Sequence, residues 1–233
     1  MHSILGSIKS MLVPIRQEGF PFIAAALFLS VFIGWFWSPV FWAGLLVTSW
    51  IVYFFRDPPR VTPLDPKLVF SPADGRITSV SLGVAPKELG LGEQRRRRVS
   101  VFMSVFDCHV NRAPLAGTVE RIVYQPGRFL NAELDKASEE NERNGVIFKT
   151  EHGRVAVVQI AGLVARRIVC FVEEHTALAA GERFGLIRFG SRLDVYLPAT
   201  ARILVSEGQI AIAGETVIAA FSEGPTERRV RID

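Results

Sequence analysis

No Asp, Glu, Lys, Arg or His occurs from Phe20 to Phe55, in a chain of 233 residues whose overall charged fraction is 21%. An uncharged block of that length is hard to cover with protein, which argues against its being a buried helical hairpin of a water-soluble core. Cysteine is scarce too. Cys108 and Cys170 are the only two, and their spacing excludes a structural zinc site. Two thiols also fit a reducing compartment better than an oxidising one. Histidine is limited to His2, His109, His152 and His175, so little imidazole is available for acid–base work. Stacking aromatics are not interleaved with the basic residues, because most aromatics sit in the apolar block. That argues against a nucleic-acid partner. The net charge of +4 and pI of about 9.4 instead suit an anionic surface such as lipid headgroups.

What is present divides at a proline-rich linker. Phe20–Trp37 is apolar, Ser38-Pro39 interrupts it, and Val40–Phe55 is apolar again. As a helix each arm would span roughly 25 Å, slightly short of a bilayer core of about 30 Å. A helical hairpin entering and leaving by one face fits best. Trp35, Trp37 and Trp42 would lie near its turn, with Trp50 and Tyr53 in the second arm, a partial match to the interfacial preference of aromatics. Lys9 and Arg16 precede the block, and Arg56, Arg60 and Lys67 follow it. By the positive-inside rule both ends are cytoplasmic, so the expected location is the cytoplasmic face of the cell membrane. A cleaved signal peptide fits poorly, because the block is double and starts late. Arg56-Asp57-Pro58-Pro59-Arg60 ends the hairpin. The expected domains are residues 1–60, a membrane-associating hairpin and linker, and residues 61–233.

Beyond the linker the chain turns to short Val-, Ile- and Phe-rich runs: Arg76–Ser81, Arg98–Ser104, Val146–Thr150, Arg154–Ile160, Arg167–Glu173, Arg192–Leu197 and Gln209–Ile212. These read as strands. The run Arg95–Arg98 reads first as a solvated loop and second as a headgroup-facing patch. Ala132–Asn144 is polar and reads as a loop with at most one helical turn. A weak repeat, a small residue and Gly followed by apolar positions, recurs at Pro126-Gly127, Ala180-Gly181 and Ala213-Gly214. Similar turns join the strands of lipoyl-carrier β-sandwiches. The fold class expected is therefore mainly β: a β-sandwich with lipoyl-carrier-like hairpins (a barrel-sandwich hybrid), plus the N-terminal helical hairpin. No Lys stands in these turns, so the repeat speaks for architecture and not for function.

Three segments carry chemistry: Ser71-Pro72-Ala73-Asp74-Gly75, Phe106-Asp107-Cys108-His109-Val110-Asn111-Arg112-Ala113-Pro114, and Arg188-Phe189-Gly190-Ser191-Arg192. Singly, each has a plain explanation. Asp-Gly is a turn signal, a lone His is usually structural, and Gly-Ser between strands is usually a hairpin or bulge. Cys108 and His109, adjacent on a strand, point to opposite faces and do not form a thiol–imidazole pair. Together, and in this order, the three segments resemble the phosphatidylserine decarboxylase family. The resemblance runs from about Arg56 to Ala219 and includes Tyr124-Gln125-Pro126-Gly127 and Gly208-Gln209-Ile210-Ala211-Ile212-Ala213-Gly214-Glu215-Thr216-Val217-Ile218-Ala219. The short length and apolar N-terminus look like the compact branch of that family.

The resemblance implies a precursor that cuts itself between Gly190 and Ser191. Gly190 leaves its carbonyl open and permits an unusual backbone conformation. Ser191 is the nucleophile, His109 its base, and Asp74 the carboxylate that orients the imidazole. The products are residues 1–190 and a small chain from Ser191, whose first residue becomes a covalent pyruvoyl cofactor. The two chains stay together as a heterodimer, and a homo-oligomer is compatible with this. The substrate implied is phosphatidylserine in the membrane, bound through a Schiff base and released as phosphatidylethanolamine and CO2. No metal is implied. His109 is also the candidate proton donor to the product carbon.

Two departures from the family pattern stand out. Many bacterial relatives carry a second histidine where this chain has Arg112, so acid–base work must be shared differently. Asp107 is one alternative, and Arg112 is a candidate for holding the substrate carboxylate or phosphate. The longer bacterial form reads Leu-Gly-Ser-Thr at the cut, whereas this chain reads Phe-Gly-Ser-Arg. The competing enzyme reading is a pyruvoyl decarboxylase for a soluble amino acid or a modified lipid. From a different class, the competing reading is a membrane-tethered, lipoyl-carrier-like adaptor without catalysis.

Overall fold

A computed structural model describes residues 13–130, 140–163, 167–188 and 190–221. Most of the loop expected over Ala132–Asn144, and Phe189 beside the expected cut, lie outside the described residues. The chain forms two compact units, residues 1–59 and residues 60–233.

The first unit is a helical hairpin, α1 (Phe20–Gly34) and α2 (Ser38–Phe54). Pro21 and Pro39 occupy the first turns, where a missing N–H costs nothing. Extended backbone at Trp37 separates the helices. They approach through small residues: a Cβ on Gly44 would lie 2.2 Å from Ser30 Oγ, and one on Gly34 2.5 Å from Phe41 Cβ. Apolar side chains cover the outside, with Trp35 85% and Leu46 72% exposed. Gln17–Gly34 is helical throughout and is long and apolar enough to cross a membrane, whereas Ser38–Phe54 is shorter. At the base, Arg16 N–H donates to Phe55 O and Asp57 N–H to Pro14 O, so the two ends of the hairpin meet.

The second unit is mainly β. Its strands are β1 (Leu68–Phe70), β2 (Gly75–Val84), β3 (Arg95–Met103), β4 (Val110–Arg112), β5 (Gly117–Gln125), β6 (Arg143–Thr150) and β7 (Gly153–Ala161). They continue with β8 (Ile168–Cys170), β9 (Ala177–Leu178), β10 (Arg183–Ile187), β11 (Ser191–Leu197), β12 (Arg202–Ile203), β13 (Ile210–Ala211) and β14 (Val217–Ala220). Instead of two matched layers, one curled sheet of eight strands dominates, in the order β13-β2-β3-β11-β7-β6-β5-β9. Two three-stranded sheets, β1-β14-β12 and β4-β10-β8, complete the unit. The four arginines Arg95–Arg98 open β3 and are not a loop. They pair with β2 through Val84–Ser81, and Arg97 and Arg98 also pair with Leu197 and Tyr196 of β11. The run expected as a strand, Arg98–Ser104, thus starts three residues earlier, and the charge run hid only its first pairs.

Strand β11 is central and buried on both faces. Leu193, Val195 and Leu197 join the main core with Val99, Val101, Met103, Val155, Val157 and Phe184. Tyr196 belongs to a second cluster with Leu89, Leu91, Ala156, Val158 and Ile160, in which the β2–β3 connection covers the other face. Alternation along the strand therefore sends Ser191 toward the main core and Arg192 and Asp194 toward the second cluster.

Candidate active site

Ser191 is the first residue of β11, paired with Met103 on β3 and Ala161 on β7. It is fully buried, and its Oγ has no hydrogen-bond partner among the described residues. A buried hydroxyl without a partner costs roughly 1–3 kcal/mol. Gly190, just before it, has φ +64°, the left-handed region. The nearest atom to a Cβ built there is Val105 Cγ1 at 4.0 Å. Glycine is thus required by torsion and not by crowding.

At Gly190 the backbone leaves the β11–β7 ladder by halves. Its carbonyl oxygen still accepts from Gly162 N–H at 3.1 Å, while its own N–H turns to His109 Nε2 at 3.2 Å. His109 is fully buried immediately before β4, and its Nδ1 lies 3.0 Å from the Asp107 carbonyl oxygen. Because Nε2 accepts from an N–H, the ring proton belongs on Nδ1, donating to Asp107 O. The lone pair of Nε2 therefore faces the Gly190 N–H, one residue before Ser191.

The bond that orients the imidazole in this structure thus comes from the Asp107 main chain, where Asp74 was expected. The carboxylate of Asp74 accepts from Ala213 N–H at 2.8 Å and pairs with Arg60. Asp74 is at the same sheet end as Ser191, since Arg76 and Ser191 pair with Phe102 and Met103 on the strand between them. Two strand spacings, about 10 Å, separate β2 from β11 there. The neighbouring Gly75 has φ +143°, and a Cβ on it would fall 2.0 Å from Phe102 O. The Ala-Asp-Gly turn therefore fixes how β2 enters the sheet.

Asp107 Oδ2 accepts from Ser104 N–H at 2.7 Å and the Asp107 N–H returns to Ser104 O. The carboxylate closes the turn that presents the carbonyl to His109. Arg112 is buried, with Nη1 donating to Gly181 O at 2.9 Å and its N–H to Pro72 O at 2.8 Å. It links the Asp74 segment to the Gly181 turn. Cys108 is buried and in no disulfide.

Sequence reasoning missed two polar groups beside the site. On the outer face of β11, Arg192 and Asp194 form a buried pair, Nε to Oδ1 at 2.9 Å and Nη2 to Oδ2 at 3.1 Å. Their i, i+2 spacing on a strand was the available signal. Beside the main core, Asn144 Nδ2 donates to Gln159 Oε1 at 2.9 Å and Gln159 Nε2 to Asn111 Oδ1 at 2.7 Å, all three residues buried. No local pattern joins residues so far apart in the chain.

A buried hydroxyl, a tautomer-fixed imidazole and a glycine at a strand entry form the candidate site, and a family model matches the chain around it. Residues 47–219 match the model described as phosphatidylserine decarboxylase. The chain is a decarboxylase of phospholipid biosynthesis. It belongs to the phosphatidylserine decarboxylase family.

Proposed function

We propose that the chain is synthesised as a precursor, cuts itself between Gly190 and Ser191, and uses the resulting pyruvoyl group to convert phosphatidylserine to phosphatidylethanolamine. The observation that carries this reading is the buried Ser191 Oγ, unpartnered among the described residues, which follows a left-handed glycine whose N–H bonds to His109 Nε2. Nothing in the packing of β11 calls for a hydroxyl there, and its place behind a left-handed glycine and an imidazole gives the unmet group a chemical use. The residues present fit a group made from Ser191.

His109 Nε2, unprotonated in the tautomer fixed by Asp107 O, takes the Ser191 Oγ proton. The oxygen bonds to the Gly190 carbonyl carbon through a five-membered ring. The carbon–nitrogen bond to Ser191 then breaks, and that nitrogen receives the proton from His109, leaving an ester. His109, neutral again, takes the Ser191 α-proton, the electron pair forms the Cα–Cβ double bond, and the Cβ–Oγ bond breaks to release residues 1–190 as a carboxylate. Water replaces nitrogen at the dehydroalanine, ammonia leaves, and the pyruvoyl remains on the small chain. That group supplies an electron sink for an amine-bearing carboxylate. His109 stays beside it as the proposed proton donor. Arg112 is the proposed partner of substrate carboxylate or phosphate, with Asp107 holding the wall.

The sheet supports a heterodimer after the cut. Residues of β11 belong to the small chain, while their neighbours β3 and β7 belong to the large one. The uncharged hairpin supports attachment to the membrane, since its one long apolar helix is a candidate anchor. The flanking cations support the cytoplasmic face. A lipid substrate does not leave the bilayer readily, each buried CH2 contributing about 0.8 kcal/mol.

Denaturing electrophoresis of the purified chain tests the reading. Wild type should give a large and a small fragment, and Ser191→Ala and His109→Ala a single band of 25.8 kDa. Full cleavage in either variant would overturn the assigned roles.

A further inference from the structure

A carbonyl under attack becomes an oxyanion, and what already points at its oxygen decides how fast that happens. The oxygen concerned is that of Gly190, and the Gly162 N–H is aimed at it at 3.1 Å. In an ordinary antiparallel ladder such a bond is one rung among many. Here it is the last rung of β11–β7, made by the residue whose own N–H has been turned away to His109.

A second observation concerns the peptide that carries this donor. The other end of the Ala161–Gly162 peptide, the Ala161 carbonyl, accepts from Asn141 Nδ2 at 2.8 Å. Asn141 is fully buried, and its amide is locked at both ends: Leu130 N–H donates to Oδ1 at 2.9 Å, and Nδ2 also donates to Leu130 O at 2.8 Å. The Ala161 N–H is held as well, by Glu142 O at 2.9 Å. A donor pulling on the carbonyl end of a peptide polarises its N–H end, and chains of such bonds strengthen one another. The plane carrying Gly162 N–H is thus fixed and polarised from behind before any charge develops.

We propose that the Gly162 N–H is the oxyanion donor of the self-cleavage, and that Asn141 is the residue that positions it; this rests on the cleavage reading above. As Ser191 Oγ bonds to the Gly190 carbon, the π pair moves onto the carbonyl oxygen and the Oγ proton goes to His109 Nε2. Gly162 N–H donates to the new oxyanion. When the oxyanion collapses, the bond to Ser191 N breaks, and the nitrogen takes the proton back from His109. No other reactant is needed.

The test replaces the Gly162 amide by an ester, through suppression with glycolic acid during cell-free synthesis of the full chain. The exchange removes the N–H with little change in shape. A matched control places an ester at Val157, in the middle of β7. Cleavage at Gly162-ester should slow by about 100- to 1,000-fold, and at Val157-ester should stay near wild type. Asn141→Leu should slow cleavage by roughly 10- to 100-fold and leave the pH midpoint of cleavage in place, because the His109 base is untouched. Thermal unfolding of the same changes in a Ser191→Ala background reports whether each precursor folds, and the near-isosteric ester remains decisive if Asn141→Leu does not. Equal rates for the two esters would overturn the proposal while leaving self-cleavage standing. A wild-type chain that never cleaves would remove the cleavage reading and this proposal with it.

Discussion

The helical hairpin and two central strands of the β-domain, β3 and β11, treat their hydroxyls in opposite ways. In the hairpin, Ser30 Oγ donates to Ala26 O at 2.6 Å, Thr48 Oγ1 to Gly44 O at 2.8 Å and Ser49 Oγ to Leu45 O at 2.8 Å. Each returns its proton to the helix four residues back, which leaves the hydroxyl satisfied without solvent. In the β-domain, Ser100 and Ser191 are both buried with an Oγ unmet among the described residues. An unmet hydroxyl alone is therefore not a nucleophile. Ser100 sits in mid-strand, paired with Ser79 and Asp194 on either side. Ser191 opens its strand behind a left-handed glycine and an imidazole, and position makes the difference.

Substitution of the two serines sharpens that contrast most. Ser191→Ala should abolish cleavage, whereas Ser100→Ala should leave it intact, both read from fragment bands. Next in size is the other face of the same strand. Arg192→Ala removes the two-bond guanidinium partner of the buried Asp194 carboxylate and should cost about 3–5 kcal/mol, measured by denaturant unfolding of the uncut Ser191→Ala precursor. The double change Arg192→Met with Asp194→Leu should recover most of that loss. Gly190→Ala forces a side chain into the left-handed region at roughly 1–2 kcal/mol, which a lower melting temperature in the same background would reveal.

The smallest effect is alkaline. Burial, and then the nearby Asp194 charge, push the Tyr196 phenol up to about 12, from an ordinary value of 10.0. The neutral phenol is thus favoured by folding. Its contribution is fully present below pH 10 and lost as pH rises toward 12. Tyr196→Phe should flatten this alkaline loss, as followed by circular dichroism; an unchanged profile would remove Tyr196 from the account.

How much of this was legible beforehand follows from the range of the interactions. The hairpin was visible because absent charge and two prolines are local signals. The candidate residues Gly190, Ser191 and His109 stood out as motifs, but not the way Gly190 splits its two backbone groups between Gly162 and His109. Arg95–Arg98 misled, since a run of charge says loop while pairing with β2 and β11 says strand. Asp74 was expected to orient the imidazole, and the bond from Asp107 O belongs to a backbone turn that no residue type announces. Asn141 and Gln159 were invisible for the same reason: an amide side chain is polar wherever it sits, and only the folded sheet reveals that these two are buried.

Intact mass spectrometry of the small fragment tests the central claim most directly. The account predicts a chain that begins at position 191 with a pyruvoyl mass in place of serine and a blocked N-terminus. A single uncut chain that still decarboxylates phosphatidylserine, or a fragment beginning with an unmodified serine, would contradict it.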